Sequence, residues 1–335
     1  MHPSHTLSEK LLDWNQPARR AAAEAWIAQE LIRRGRRITG EIEQVRLRPW
    51  SSVLRVPVQG GTVYFKAVAR GLAHEVGLTC LLAKLRPGSM PDVLAADPAR
   101  GWLLLDEGGL RLREILQASP GLERWQATLG RYAGLQIEMA EHSAEILALG
   151  VPDRRLAVLP RLYAQLVESP LANVEGIPEA LTPGERARLA DMKAVVEALC
   201  AELADCGVPE SLNHGDFHDG NIFIRDEQIV FVDWGDASLA HPFFSLRTAL
   251  VSMENTLGLA ENAPEFAGPR EAYLEPFQVF APLPALRESL DLSARLAPLS
   301  SALAWQRALA EEAPADTRRA IPSLLREFLE LNDRF

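Results

Sequence analysis

The 335-residue chain carries 35 Lys and Arg against 45 Asp and Glu, a formal charge of −10, with 47% hydrophobic and 24% charged residues. This composition excludes global disorder, and the carboxylate excess argues against a nucleic-acid footprint or an anionic membrane surface as partner. Single cores stop growing near roughly 250–300 residues, so two domains are expected. Cys80, Cys200 and Cys206 show no metal or redox spacing, "MHPSHTLSEK" lacks a secretory pattern, and no apolar run reaches the roughly 18–20 residues that span a bilayer. A cytoplasmic protein with reduced thiols is the expectation. Oligomeric state is left open.

In chain order, residues 18–36 read as an amphipathic helix with Trp26, Ile27, Leu31 and Ile32 at helical spacing. Short β-branched or alternating runs follow, "EIEQVRLRP", "VLRVPV" and "TVYFKAVA", the last two separated by the turn signal "QGG". "AHEVGLTCLLAKLRPG" reads as a helix stopped by Pro87 and Gly88. "DVLAAD" and "GWLLLDE" are two more strands around a turn at 97–100. Gly108 and Gly109 mark a break, and from Leu110 onward helical patterns dominate, at 121–149, 154–169 and in "TPGERARLADMKAVVEALCAELADCG". That last run opens with a capping box, Thr182 to Glu185, and Pro183 at its first position. Only residues 222–233 interrupt with strand character. The expected division is residues 1–107, a helix plus a five-stranded sheet with one helix inserted after the third strand, and residues 108–335, mainly helical.

The stretch "SLNHGDFHDGNIFIRDEQIVFVDWGD" concentrates the chemistry. "NIFI" and "IVFVD" are apolar strands around "RDEQ", so the chain doubles back between Asn221 and Asp233. A two-residue turn sets Asn221 opposite Val232; a five-residue loop at 225–229 sets it opposite Asp233, where the two side chains would lie roughly 5 Å apart on one face. An amide and a carboxylate at that distance suit Mg²⁺, which takes oxygen ligands and usually meets substrate phosphates as its other partners. Asp216, five positions before Asn221, is then placed to orient a substrate hydroxyl and accept its proton. Asp, Asn and Gly also make good turn chemistry on their own. A rival set, His214, Asp216 and His218, has zinc-hydrolase spacing, although His2, His5, His74, His142 and His241 form no second ligand cluster.

"HGDFHDGN" followed by "VDWGD" resembles the motifs of the aminoglycoside phosphotransferase and choline kinase family, a branch of the protein-kinase-like fold. The resemblance implies a two-lobe α+β architecture, a small N-terminal antiparallel sheet lobe with one inserted helix and a larger, mainly helical C-terminal lobe. It implies ATP and Mg²⁺ as cofactors, Asp216 as catalytic aspartate, Asn221 and Asp233 as metal ligands, and His214 as a brace of the loop. His218, Asp219 and Asp236 read as loop or surface residues. Such a site needs a cation for the nucleotide phosphates. Among four lysines (Lys10, Lys66, Lys84, Lys193), Lys66 stands in the middle of a β-run, and Glu75, the first acidic residue after it, is the natural partner. A solvent-facing edge-strand lysine is the plainer reading of Lys66. Trp102 to Glu107 reads as the strand entering the connector that in the family meets adenine.

Two departures stand out. "RLRPWSSVLRV", at the phosphate-covering position, has no glycine between its strands, so Ser51 and Ser52 are expected to substitute through their hydroxyls. Where the family continues with a glycine, a proline and an aspartate, this chain reads "LAHPFFSL", with His241 and Ser245 at the glycine-like and aspartate-like positions. That aspartate normally braces the catalytic loop, so its loss implies either a compensating contact or a weakened enzyme. The functional expectation is transfer of the γ-phosphoryl group of Mg²⁺-ATP to a hydroxyl of an aminoglycoside-, choline- or sugar-like small molecule. Glu254, Glu261 and Glu265 read first as a solvated face and, alternatively, as an attraction for a cationic acceptor. A nucleotide-binding module without turnover and a zinc hydrolase are the competing functions.

Overall fold

The computed structural model describes residues 16–260, 263–308 and 315–333. His2, His5, Lys10 and Glu261, all named above, lie outside the described residues. The strands are β1 (Glu43–Arg48), β2 (Ser51–Val58), β3 (Gly61–Val68), β4 (Val93–Asp97), β5 (Trp102–Asp106), β6 (Leu110–Arg111), β7 (Ser211–Asn213), β8 (Ile222–Arg225), β9 (Gln228–Phe231) and β10 (Ser238–Ala240). The chain divides into two compact units. One takes the residues up to Leu112 together with Gly220–Gly235, and the other takes Arg113–Asp219 and the residues from Asp236 on.

In the first unit, five antiparallel strands run in the order β1-β2-β3-β5-β4, with the helix His74–Leu85 inserted after β3. The helix Pro17–Arg33 buries Ala23, Trp26, Ile27 and Leu31 in a core with Leu54, Val56, Phe65, Trp102 and Leu104. Trp26 meets Phe65 at 5.8 Å and Trp102 at 5.6 Å between ring centroids. Large side chains fully buried in this way contribute roughly 1.5–3 kcal/mol each. Ile32, expected on the same face, is 72% exposed. At 3.6 residues per turn it lies about 180° around the helix from Ala23 and about 140° from Ile27, away from the buried face.

The hairpin β8–β9 groups with this sheet-rich unit. β6 pairs with β8 through Leu110↔Ile224 and Arg111↔Phe223, and the Phe231 N–H donates to Ser89 O at 2.9 Å. The division therefore falls after Leu112 where 107 was expected, and helix begins at Leu112 where Leu110 was expected, because two residues after the glycine pair are used as a strand. Gly109, at φ +101°, sits so close to the Ile224 carbonyl that a Cβ there would collide with it, so this crossing requires glycine. The hairpin is closed by two residues, Asp226 and Glu227, at φ 49° and 63°. Both left-handed φ values match a type I′ turn, the turn whose twist suits a two-residue hairpin.

The second unit is mainly helical, with helices Glu123–Ala140, Ser143–Ala148, Leu159–Val167, Pro183–Asp191, Lys193–Asp205, Phe244–Leu257, Ala267–Leu274, Leu283–Ala308 and Ala320–Asn332. The periodic stretch at 121–149 breaks after Ala140, and the one after Thr182 breaks at Met192. Trp125, Tyr132, Tyr163, Phe217, Phe243, Tyr273, Phe277 and Phe328 are fully buried. The strand pair β7–β10 (Asn213↔Ser238, Leu212↔Leu239, Ser211↔Ala240) corrects the expectation that strand character is confined to 222–233. Three residues are too few to display an alternating pattern.

The capping box is complete: Thr182 N–H donates to Glu185 Oε2 at 2.7 Å and Glu185 N–H to Thr182 Oγ1 at 3.2 Å. Arg326, on the last helix, donates its Nε–H to Glu185 Oε1 at 2.6 Å. That bond, against the opposing effect of burial and with help from the Thr182 amide, holds the Glu185 carboxyl down to about 2.

Two tests follow from the local geometry. Because glycine takes φ > 0 without the strain an L side chain meets, Glu227→Gly should raise stability by about 1 kcal/mol in a chemical-denaturation measurement. Because the folded pKa of Glu185 is depressed, its contribution is present above about pH 4.5 and lost as pH falls toward 2. The melting-temperature gap between wild type and Glu185→Gln should be full at pH 6 and close on acidification below that point.

Candidate active site

In the first unit, Lys66 sits on β3 opposite Val53 of β2 and Leu103 of β5, in the middle of the sheet. This central position overturns the plainer edge-strand reading. Its Nζ donates to Glu75 Oε1 at 2.6 Å and to Asp233 Oδ1 at 2.5 Å, with the lysine side chain 11% exposed and the glutamate 2%. Glu75 reaches the lysine from the first turn of its helix. Burial opposes the ammonium, but the charges of Asp233 and Glu75 outweigh it, and the lysine pKa rises. Burial pushes the Glu75 carboxyl up, the Lys66 charge pulls it back, and the result lies above the usual carboxylate range. Gly235 leaves room for this glutamate, since a Cβ there would come within 3.2 Å of its Oε2.

Asp233 follows β9 with φ 68°, a left-handed conformation that Asp tolerates better than most L residues. The register of the hairpin is the two-residue one: Ile222 faces Phe231, and the Val232 N–H donates to Asn221 O at 3.0 Å. Asn221 is therefore opposite Val232, and the five-residue loop that would set it opposite Asp233 is not formed. The left-handed turn takes Asp233 out of the strand pleat, so strand alternation does not fix where its carboxylate goes; Lys66 and Arg46 do. Arg46, on the exposed strand β1, reaches Asp233 Oδ2 at 3.2 Å. Nothing in the alternating pattern of "EQVRLR" singled it out. Ser51 and Ser52, expected to face phosphate, are buried on β2, and the Ser52 hydroxyl accepts from Gln44 Nε2 at 3.1 Å.

In the second unit, β7 leads into the loop that carries Asp216. Gly215 is at φ +80°, and a Cβ there would collide with the Asp236 carbonyl. Here again only glycine fits the backbone approach. The His214 N–H donates to Tyr132 Oη at 2.9 Å, Tyr132 Oη and Ser245 Oγ share a hydrogen bond at 2.8 Å, and the Ser245 hydroxyl donates to Asn213 Oδ1 at 2.5 Å. Asn213 Oδ1 also accepts the Gly215 N–H at 3.3 Å, and its Nδ2 donates to Ser300 Oγ at 3.3 Å. Of the two outcomes offered for the missing aspartate, the structure contains a compensating contact: Tyr132 Oη and Asn213 Oδ1 accept the loop amides, and the Ser245 hydroxyl links the two. Tyr132 carried no signal in the sequence, since a tyrosine on a buried helix face looks like core.

Asp216 itself is 37% exposed at its side chain, with Oδ2 at 3.3 Å from His218 Nε2. Burial works against the His218 imidazolium, but the Asp216 hydrogen bond and charge more than offset it, and the histidine pKa is raised. Asp219 is fully buried, accepting from Arg113 Nη2 at 2.7 Å and from Thr256 Oγ1 at 2.5 Å, which makes it a brace of the loop's far end. His214 lies edge-on to Phe217 and accepts the Asp216 N–H at Nδ1, 3.4 Å away. Among the described residues no three His, Cys, Asp or Glu side chains gather as a metal cluster, which removes the zinc set His214, Asp216 and His218. His241 is fully buried, and burial lowers its pKa to about 3, leaving a neutral ring against Phe243 and Phe244. Glu254 lies on the helix Phe244–Leu257, and Glu265 is exposed on the short turn Pro264–Phe266.

No helix among the described residues is long and apolar enough to cross a membrane. Comparison with the curated proteins gives no match. Solved structures share the fold at low identity. An ethanolamine kinase of Plasmodium vivax has a TM-score of 0.61 and 11% identity, covering 86% of this chain and 81% of its own. The choline kinase LicA of Streptococcus pneumoniae has a TM-score of 0.58 at 14% identity, covering 93% and 99%. The GDP complex of an aminoglycoside 2′-phosphotransferase-IIIa has a TM-score of 0.57 at 15% identity, again covering 93% and 99%. The antiparallel sheet with its inserted helix and the mainly helical remainder are thus those of a protein-kinase-like fold. The family model described as the phosphotransferase enzyme family matches residues 61–288, more than half of the chain, and the protein belongs to that family.

Proposed function

We propose that the protein transfers the γ-phosphoryl group of a magnesium-bound nucleoside triphosphate, ATP in the first instance, to a hydroxyl of a small molecule. The observation that carries this reading is the buried ammonium of Lys66 held between Glu75 and Asp233. Lys66, aimed by Glu75, would neutralise phosphate oxygens. Asn221 and Asp233, an amide and a carboxylate near one end of a hairpin, are the hard oxygen donors that suit Mg²⁺, and they would hold it. When bound, that ion supplies charge neutralisation on the phosphates. Arg46, within 3.2 Å of Asp233 Oδ2, is a candidate for the phosphate side of the site in place of the buried Ser51 and Ser52.

Asp216 would orient the acceptor hydroxyl and receive its proton as the oxygen bonds to the γ-phosphorus and the bond to the β-bridging oxygen breaks. His218 Nε2 lies 3.3 Å from Oδ2 of this carboxylate. Orientation is the main contribution of such a group where the transition state is loose. By their names the fold relatives act on ethanolamine, choline and aminoglycosides, and one was solved with GDP, so both ATP and GTP belong in the assay.

The alternative, a nucleotide-binding module without turnover, rested on the missing aspartate and the glycine-free loop; the hydroxyl network around Ser245 weakens the first of these grounds. The two readings separate in variants. Asp216→Asn should keep Mg²⁺-nucleotide affinity within about threefold and lower turnover by 10²-fold or more, the range for losing a general base. Asp233→Ala should weaken Mg²⁺-nucleotide binding by more than about tenfold, since it removes a metal ligand and a partner of Lys66 together. Calorimetric titration beside a nucleoside-diphosphate release assay reads both quantities. Equal losses in both variants would contradict this assignment of roles.

A further inference from the structure

One tyrosine holds the loop of the second unit on both sides of Asp216. The His214 N–H donates to Tyr132 Oη at 2.9 Å, and the Phe217 ring stacks on the Tyr132 ring with centroids 4.0 Å apart and planes 22° from parallel. Gln136 lies one turn further along the same helix. Its Nε2–H donates to Leu212 O at 2.9 Å, and the Ser211 hydroxyl donates to its backbone carbonyl. A single helix face therefore fixes the chain from β7 to Phe217, while the Asp216 side chain stays partly exposed.

The protons of this network run one way. Asn213 Oδ1 accepts the Gly215 N–H at 3.3 Å, which requires an oxygen at that place and fixes how the buried amide faces. The Ser245 hydroxyl, 2.5 Å from the same oxygen, must donate to it. Having one proton, it must then accept from Tyr132 Oη. Asn213 Nδ2 is turned to Ser300 Oγ, on the helix Leu283–Ala308. Burial pushes the Tyr132 phenol well above its usual range, against the pull of the Ser245 and His214 hydrogen bonds, so the tyrosine keeps the proton it donates. A carboxylate at 245 has no such proton to pass on. It would meet Asn213 oxygen to oxygen, and turning the amide to offer Nδ2 would withdraw the oxygen from the Gly215 N–H. Either way a buried polar group loses its match, which a closed network tolerates poorly.

We propose that Tyr132, relayed through Ser245 to Asn213, is the positioning residue for Asp216, and that this relay excludes the aspartate it replaces: the family-like residue restored at 245 would loosen the loop instead of bracing it. That the fixed loop serves phosphoryl transfer rests on the phosphotransferase reading; that the relay fixes it does not. The hydroxyl of Tyr132 sets the backbone before Asp216 and its ring sets the residue after it, so removing the hydroxyl alone frees one side of the loop and leaves the packing of the other in place.

The test uses the full chain and two readouts. Amide hydrogen exchange of the segment 211–217 reads the relay without any substrate, and diphosphate release from Mg²⁺-ATP or Mg²⁺-GTP, with water, choline or ethanolamine as acceptor, reads turnover. Tyr132→Phe should speed exchange in 211–217 about tenfold or more and lower kcat about tenfold or more, with KM for the nucleotide within about threefold, the pattern of a misplaced group and not of a lost binding site. Ser245→Ala should do the same. Ser245→Thr, which keeps a donor, should stay within about threefold of wild type in both readouts, whereas Ser245→Asp should behave like Ser245→Ala. Melting curves establish that each variant is folded, and where Ser245→Asp is not, Ser245→Ala against Ser245→Thr decides. Unchanged exchange in folded Tyr132→Phe, unchanged turnover there when the wild type is active, or a Ser245→Asp protein that equals or exceeds wild type would overturn the proposal. Exchange that rises as expected in a protein whose wild type releases no diphosphate would count against the phosphotransferase reading and leave the relay standing.

Discussion

An ammonium buried in the centre of a β-sheet is stable only while its charge is matched, and this requirement organises the sheet-rich unit. Lys66 lies on β3, which has neighbours on both sides, and its side chain is only 11% exposed. Its neutralisation brings together a residue nine positions later in a helix and another 167 positions later beyond a hairpin. Removing one partner of a buried pair costs roughly 3–5 kcal/mol, far more than an exposed pair contributes. The insertion of the helix after β3 and the grouping of β8–β9 with the first unit are the structural consequences. The second is secured by the two-residue strand β6 and by the glycine that lets it approach Ile224.

The loop of Asp216 is held by a different device. Neutral hydroxyls take the place where a carboxylate was expected, and each such hydrogen bond contributes about 1 kcal/mol net, against the roughly 1.5–3 of a charged one. The network gains by being closed: Tyr132, Ser245 and Asn213 satisfy one another and two loop amides. A buried group in such a network has no competing water, so its geometry is well defined even though each bond is modest. The far end of the same loop is held by charge, where Asp219 accepts from Arg113 and Thr256.

Much of this was legible in the sequence. The five strands, the inserted helix and the capping box at Thr182 were carried by periodicity and turn chemistry, and the Lys66–Glu75 pair followed from a lysine out of place in a β-run. Other features were not legible, for physical reasons. The register of β8–β9 depends on whether Asp226 and Glu227 accept positive φ, which neither residue type announces. The strands β7 and β10 are shorter than any detectable period. Tyr132 and Arg46 act across long sequence separations, from positions whose residue types have ordinary local explanations: core and solvated strand.

The charge count around Lys66 bears on why a metal would be needed at all. Two cations, Lys66 and Arg46, face two carboxylates, Glu75 and Asp233, so these side chains carry no net charge among themselves. Under the proposed phosphotransfer a triphosphate brings several negative charges into this neutral, partly dry setting, where uncompensated charge is far more costly than in water. Lys66 cannot supply the difference, because its charge is already shared with two carboxylates. A divalent cation arriving with the nucleotide would relieve the deficit and give Asp233 a counter-charge other than the lysine, which frees the ammonium to turn toward phosphate.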